Sequence, residues 1–214
     1  MGWQRLFAHG LETRLGPRRL FVVPRSVRAV AEAEAVASSL RAAIEVDGLP
    51  TLEEAQKIAG LERAVPVVVV TQNVDDLHQR AGNTDTIRLH GDILVDRWLE
   101  PCRRGRACDP AAAGSSRPPR CAECGNLARP GVVWFGEMLP SGAMEAAERA
   151  ARSAKVMLVV GTSGAVWPAA GLAATARRAG AFVAIVNPQA SEIDAAAHLL
   201  VPGTAAQVLP RLFG

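Results

Sequence analysis

The spacing of apolar residues changes period along the chain, and each change predicts an element. Residues 1–26 hold no sustained period, and Gly16-Pro17 and Pro24 interrupt what there is. From Val27 to Ile44 the residues Val27, Val30, Ala33, Ala37, Leu40 and Ile44 recur at three- and four-residue steps, which predicts a helix ended by Asp47-Gly48. Thr51-Leu-Glu-Glu54 has capping-box spacing and predicts a second helix to about Arg63. Four consecutive valines, Val67–Val70, are β-branched and too few for a helix, so they predict a buried strand. A helical turn at Leu77–Ala81 and an extended Ile87–Leu89 follow.

Past residue 127 the alternation becomes regular. Val132–Phe135 reads as extended, and Ser141 is placed to cap a helix running to about Ser153 with Met144, Ala147 and Ala151 on one face. Val156–Val160 and Phe182–Val186 read as buried strands, with a short last one at Leu199–Val201. Pro168 is suited to open a helix that runs through Arg178 and stops at Gly180. A terminal helix follows from Thr204. Strand–helix–strand alternation with short connections predicts an α/β fold, a parallel sheet covered by helices. Residues 98–126 break the pattern with Pro, Gly, Arg and Ser and read as an insertion. The expected division is a helical segment over 1–64, a sheet domain over 65–97 and 127–214, and a small module over 98–126.

Composition narrows the function classes. A net charge of +3 is too small to argue for nucleic acid, and the absence of tyrosine removes one kind of stacking platform. No apolar run reaches the roughly 18 residues that a membrane span needs. The N-terminus has no apolar leader, so a cytoplasmic location is expected. Its arginines (Arg5, Arg14, Arg18, Arg19, Arg25 and Arg28) leave an organelle transit peptide as the other reading.

Candidate chemistry sits where the strands stop. Thr71, Gln72, Asn73 and Asp75 crowd the end of the valine strand, and ligands in open parallel sheets bind beyond such carboxyl ends. The strand ends at 71–75, 161–164 and 187–189 carry small polar residues in one register, which points to a shared pocket. Gly161-Thr-Ser-Gly164 offers backbone N–H groups and hydroxyls to a phosphate, although alone it also reads as a strand-end turn without a ligand. His90 follows an extended segment and precedes a glycine, so it is the candidate general base. His78 reads as a surface or packing residue, and His9 and His198 as incidental.

All four cysteines fall between 102 and 124. Cys121-Ala-Glu-Cys124 has zinc-knuckle spacing, and Cys102 with Cys108 forms a looser pair. The set reads as a structural zinc site or as a degenerate knuckle that holds metal weakly.

Taken together, these motifs resemble the sirtuin family of NAD-dependent protein deacylases, in particular the bacterial class that includes the mitochondrial desuccinylase-like members. The resemblance is carried by Thr71-Gln-Asn-Val-Asp-Asp-Leu-His-Gln-Arg-Ala-Gly82, Leu89-His-Gly91, Cys121-x-x-Cys124, Pro130-Gly-Val-Val-Trp-Phe-Gly-Glu137, Gly161-Thr-Ser-Gly-Ala-Val-Trp-Pro-Ala169 and Val186-Asn-Pro188. It implies a Rossmann-like sheet that binds NAD, a small zinc-binding insertion and acyl-lysine proteins as substrates. The implied reaction transfers the acyl group to ADP-ribose and releases nicotinamide.

By the same resemblance His90 and Asn73 would be catalytic. Gln72, Asn73, Val74 and Asp75 would line the ribose and nicotinamide side. Gly161, Thr162 and Ser163 would meet the phosphate and adenosine side, with Asn187 at the adenosine ribose and Ala205 near the adenine. Val132, Val133, Phe135 and Gly136 would line the acyl-lysine tunnel. Cys102, Cys108, Cys121 and Cys124 would hold zinc, although the family's first pair would fall at Trp98 and Pro101.

The family's Gly-Ala-Gly-x-Ser and Gly-Ile-Pro-Asp-Phe-Arg motifs do not occur in residues 1–64. The N-terminal part of the nucleotide fold is therefore expected to be abbreviated or replaced, with Leu20–Val23 as the candidate to pair at the sheet edge. The rival reading is a sirtuin-like nucleotide- or protein-binding module lacking half of the cofactor site.

Overall fold

The computed structural model describes residues 42–46, 52–62, 65–101 and 119–213. Its first strand, β1 (Ala42–Val46), corrects the expectation of a helix reaching Ile44; residues 27–41 of that helix lie outside the described residues. Leu20–Val23, proposed for the sheet edge, also lies outside them. The helix α1 (Leu52–Glu62) follows, with the expected capping residue Thr51 outside the described set.

The other strands are β2 (Val67–Thr71), β3 (Thr86–Arg88), β4 (Gly91–Trp98), β5 (Ala128–Val132), β6 (Val156–Val160), β7 (Phe182–Asn187) and β8 (Leu199–Pro202). The other helices are α2 (Leu77–Ala81), α3 (Ala143–Ser153), α4 (Gly171–Arg178) and α5 (Ala205–Phe213). The strand read at Val132–Phe135 lies instead at Ala128–Val132, and two helix starts also differ from the sequence reading. Gly142, at φ 76°, precedes α3 in place of a Ser141 cap, and α4 begins at Gly171, three residues past Pro168. None of the described helices is long and apolar enough to cross a membrane.

Six strands form one sheet in the order β3-β2-β1-β6-β7-β8, with every pairing parallel. Counting only the strands of this sheet, the order is 3-2-1-4-5-6, that of dinucleotide-binding folds. β1 is a central strand: it joins β2 to β6 and marks the point where the chain reverses its direction of travel across the sheet.

Alternate residues of the buried strands feed two cores. Val156, Leu158 and Val160 face one side with Ile58, Val208, Leu209 and Leu212 of α1 and α5. Met157 and Val159 face the other with Ala147, Ala151, Leu172, Ala173 and Ala176 of α3 and α4. A strand buried on both faces has no room for polar residues until it ends, which is why the valine run stops where the chemistry begins. Each valine, leucine, isoleucine or methionine among them contributes on the order of 1.5–3 kcal/mol on burial.

Parallel pairing also fixes where the strands end. Arg88 pairs with Thr71, Thr71 with Val46, Val46 with Val160, Val160 with Val186 and Val186 with Val201. One row therefore crosses the whole sheet, and Gln72, Gly161 and Asn187 each stand one residue beyond it. Beside this edge β4 and β5 form a separate antiparallel pair whose register shifts between Asp92 and Asp96.

Candidate active site at the carboxyl ends of the strands

The valine strand delivers Thr71, Gln72 and Asn73 into the interior, at 2%, 6% and 9% exposure. The Thr71 hydroxyl accepts the Asn73 amide at 3.1 Å, which turns the chain back at the end of the strand. Asn73 Nδ2 is buried and meets no acceptor among the described residues. A buried donor left unmet costs about 1–3 kcal/mol, so this nitrogen fits an acceptor brought by a ligand, such as a ribose hydroxyl.

His90 stands next to this turn. Leu89 N donates to Thr71 O at 2.9 Å, holding the residue before His90 against the end of β2. The His90 ring meets the Gln72 carbonyl oxygen through Nδ1 at 3.0 Å. A carbonyl oxygen only accepts, so Nδ1 carries the proton and the lone pair of the neutral ring lies on Nε2. That is the tautomer a general base needs.

Gly91 explains why a glycine must follow His90. Its φ is +85°, and a Cβ there would lie 2.1 Å from the carbonyl oxygen of Gly131. Two backbones come this close because β4 pairs with β5 from its first residue, Gly91 opposite Val132.

The remaining candidates lie as follows. Val74 O accepts Ile93 N at 2.9 Å, and Asp75 Oδ1 accepts Leu77 N at 3.0 Å as α2 begins. Gly161, at φ 68°, opens the turn after β6, where Thr162 is buried and Ser163 exposed. Asn187 Nδ2 donates to Thr162 O at 2.6 Å, tying the end of β7 to that turn and leaving its Oδ1 as the group for a ligand. A cleft of about 270 Å³ beside Asn187 is lined also by Pro188, Asp194 and Pro202. Ala205 opens α5 and packs against the valine core. Val133 N donates to His90 O at 2.9 Å, which brings the expected acyl-lysine segment against the histidine. Within that segment Phe135 is wholly exposed and Gly136 takes φ 86°.

Two groups escaped the sequence reading. Arg88 donates through Nη2 to Asp75 O at 2.7 Å and to Gln79 Oε1 at 2.9 Å, and its Nη1 pairs with Asp92. It thereby ties the Asn73–Gln79 segment to the residues on both sides of His90. Glu137 pairs with both Arg97 and Arg129. No spacing rule marks either, because their partners lie on separate elements.

His78 and His198 are structural. His78 is 1% exposed, and its Nδ1 donates to Asn83 Oδ1 at 3.3 Å, while Asn83 Nδ2 donates to Glu62 Oε1 at 2.7 Å. Burial pushes its pKa down, against the Asn83 hydrogen bond and the nearby Asp75 and Glu62 charges, which raise it; Arg88 lowers it further. His198 is not incidental: Nδ1 accepts Val183 N at 3.0 Å, and the ring stacks on Phe182 with centroids 5.3 Å apart. His9 lies outside the described residues.

Cys121 and Cys124 bracket a tight turn closed by Gly125 N to Cys121 O at 2.9 Å and Cys121 N to Asn126 O at 2.8 Å. Cys102 and Cys108 lie outside the described residues. Among the described residues no group of three or more His, Cys, Asp and Glu is placed to hold a metal ion.

Comparison with known proteins agrees with this fold. A sequence model described as the Sir2 family matches residues 29–168. The NAD-dependent protein deacylase of Ralstonia nicotianae is 51% identical over 155 residues, which cover 72% of this chain and 62% of that protein. A solved complex of a Sir2 homologue with NAD aligns at a TM-score of 0.66 and 38% identity, over 75% of this chain and 62% of that one. A Sir2 structure bound to an acetylated peptide aligns at 0.67 and 33% identity, over 76% and 68%. The chain spans about three fifths of the length of the first curated relatives it matches.

Proposed function

We infer the activity from one premise: this chain belongs to the Sir2 family. On that basis we propose that it is an NAD-dependent protein-lysine deacylase, acting on acyl-lysine segments of other proteins and passing the acyl group to ADP-ribose. One observation carries the proposal. An Nδ1-protonated His90 and the unmet buried amide of Asn73 lie at the same strand end, beside the point where the strand order reverses.

NAD supplies an activated ribose carbon from which nicotinamide can leave. The residues of the chain do the rest. Asn73 Nδ2 orients a ribose hydroxyl, and Gln72 and Asp75 shape the pocket beside it. His90 Nε2 takes a proton from a ribose hydroxyl, and Nδ1–H to Gln72 O stabilises the imidazolium that forms. General bases of this kind contribute about 10²–10⁴-fold. Thr162, Ser163 and Asn187 suit the phosphate and adenosine side, with Val132, Val133, Phe135 and Gly136 beside His90 for the acyl-lysine.

A zinc ion held by Cys121 and Cys124 together with Cys102 and Cys108 is part of the same proposal. The knuckle turn at 121–125 supports the first pair, and the sequence alone supports the second. The zinc would be structural, since four cysteine ligands complete its tetrahedron and leave no open position.

Calorimetry tests the cofactor half. NAD should bind the chain at micromolar to millimolar concentration, and Asn73→Ala should weaken binding about tenfold, roughly the 1.4 kcal/mol of one lost hydrogen bond. No heat at millimolar NAD would favour a protein-binding module instead.

A further inference from the structure

Arg97 and Arg129 are direct register partners across β4 and β5. Like charges opposite one another in an antiparallel pair repel. Arg129 is also 7% exposed, and a guanidinium cannot escape the cost of burial by losing its proton. The pair needs an anion, and Glu137 supplies it. Its Oε1 accepts Arg129 Nη2, and its Oε2 accepts Arg97 Nη2 at 2.5 Å.

The same carboxylate reaches into the loop that joins β5 to its own residue. Glu137 Oε2 also accepts Trp134 N at 3.0 Å, while Glu137 N donates back to Trp134 O at 2.9 Å. Arg129 stacks its guanidinium carbon 3.9 Å from the centroid of the Trp134 ring and donates to Val132 O at 3.0 Å. One residue earlier, Val133 N donates to His90 O at 2.9 Å. A continuous set of contacts therefore runs from the two arginines through Glu137 and Trp134 to the backbone of His90.

We propose that Glu137 is a positioning residue for the acyl-lysine segment: by neutralising the Arg97–Arg129 pair it fixes residues 133–136 against His90. The role in substrate binding rests on the deacylase reading; the role in holding the loop does not. Without the carboxylate charge Arg129 must turn toward water, and its contacts to Trp134 and Val132 leave with it.

The test is Glu137→Gln, which keeps the shape and one acceptor but removes the charge. Amide hydrogen exchange should speed up at Val133 and Trp134 by about tenfold or more, the scale on which coupled neighbours respond, while Leu89 N, bonded to Thr71 O, keeps its protection. In turnover, KM for an acyl-lysine peptide should rise by a similar factor while KM for NAD holds. Adding Arg97→Gln to that variant removes the repulsion and should restore part of the protection at Trp134. Unchanged exchange in Glu137→Gln, or a double variant no better than the single, overturns the proposal. If Glu137→Gln does not fold, Arg129→Gln removes the guanidinium that Glu137 holds against Trp134 and Val132, and unchanged Trp134 exchange there overturns the proposal too. A wild-type chain with no turnover would sink the deacylase reading but leave the exchange result to decide the clamp.

Discussion

His90 Nδ1 donates its proton to the carbonyl oxygen of Gln72 across 3.0 Å, which leaves Nε2 as the basic nitrogen of the neutral ring. Nitrogen chemical shifts of labelled histidine, assigned with His90→Gln as the blank, should report the Nδ1–H tautomer at neutral pH. A neutral ring carrying its only proton on Nε2 could not make the Gln72 contact and would have no base facing the proposed ribose hydroxyl.

The glycine after His90 is expected to be intolerant of any side chain. Gly91→Ala places a Cβ at a φ of +85° and 2.1 Å from Gly131 O, so β4 and β5 must part or the backbone must strain. Strain of this kind costs on the order of 1–3 kcal/mol, and urea denaturation should show a loss of at least that order. Stability equal to wild type would mean that the two backbones are not in contact.

Arg88 should matter to rate by holding the chain beside the pocket. Arg88→Gln releases Asp75 O and Asp92 together, and with them the segments on either side of His90. Misplacement of this kind can cost up to about a hundredfold in kcat. A fall of about tenfold or more, with unfolding midpoints little changed, is the expected outcome.

The pH dependence of stability carries a signature of His78. Its folded pKa lies below the ordinary histidine value because burial penalises the charged ring. The unfolded chain therefore binds the proton first as pH falls, and stability is highest above about pH 6.5 and declines below it until the folded ring also titrates. Denaturation at pH 7.5 and pH 5.5 should show this decline reduced in His78→Gln. An identical pH slope in both proteins would mean that His78 is not held neutral by burial.

The purified chain should carry about one zinc ion, and Cys121→Ser should lower that content while a chelator destabilises the fold. Metal-free protein that folds natively would remove the zinc from the account.

The sequence announced most of this architecture because its sheet is buried on both faces. Val67–Val70 and Val156–Val160 cannot be mistaken for amphipathic helices, and polar residues appear abruptly where each strand leaves the core. β1 was harder to read. Ala42-Ala-Ile-Glu-Val46 is rich in alanine, and Leu40 and Ile44 continue the helical spacing before it. Its strand conformation comes from pairing with β2 on one side and β6 on the other, a tertiary condition that overrides local propensity.

The site was half legible for a related reason. His90 and Asn73 lie in contiguous motifs, so their meeting at one strand end could be read from order along the chain. Glu137 lies 40 residues from Arg97, and only the fold shows that they share a proton-donor contact. His198 misled because its partner is a backbone amide, which no side-chain pattern can reveal.

The most direct test is nicotinamide release from NAD, measured with and without an acyl-lysine peptide in the wild-type chain and in His90→Ala. The account predicts release that depends on the peptide and falls at least about a hundredfold in the variant. Release that survives His90→Ala, or that needs no acyl-lysine, would contradict it.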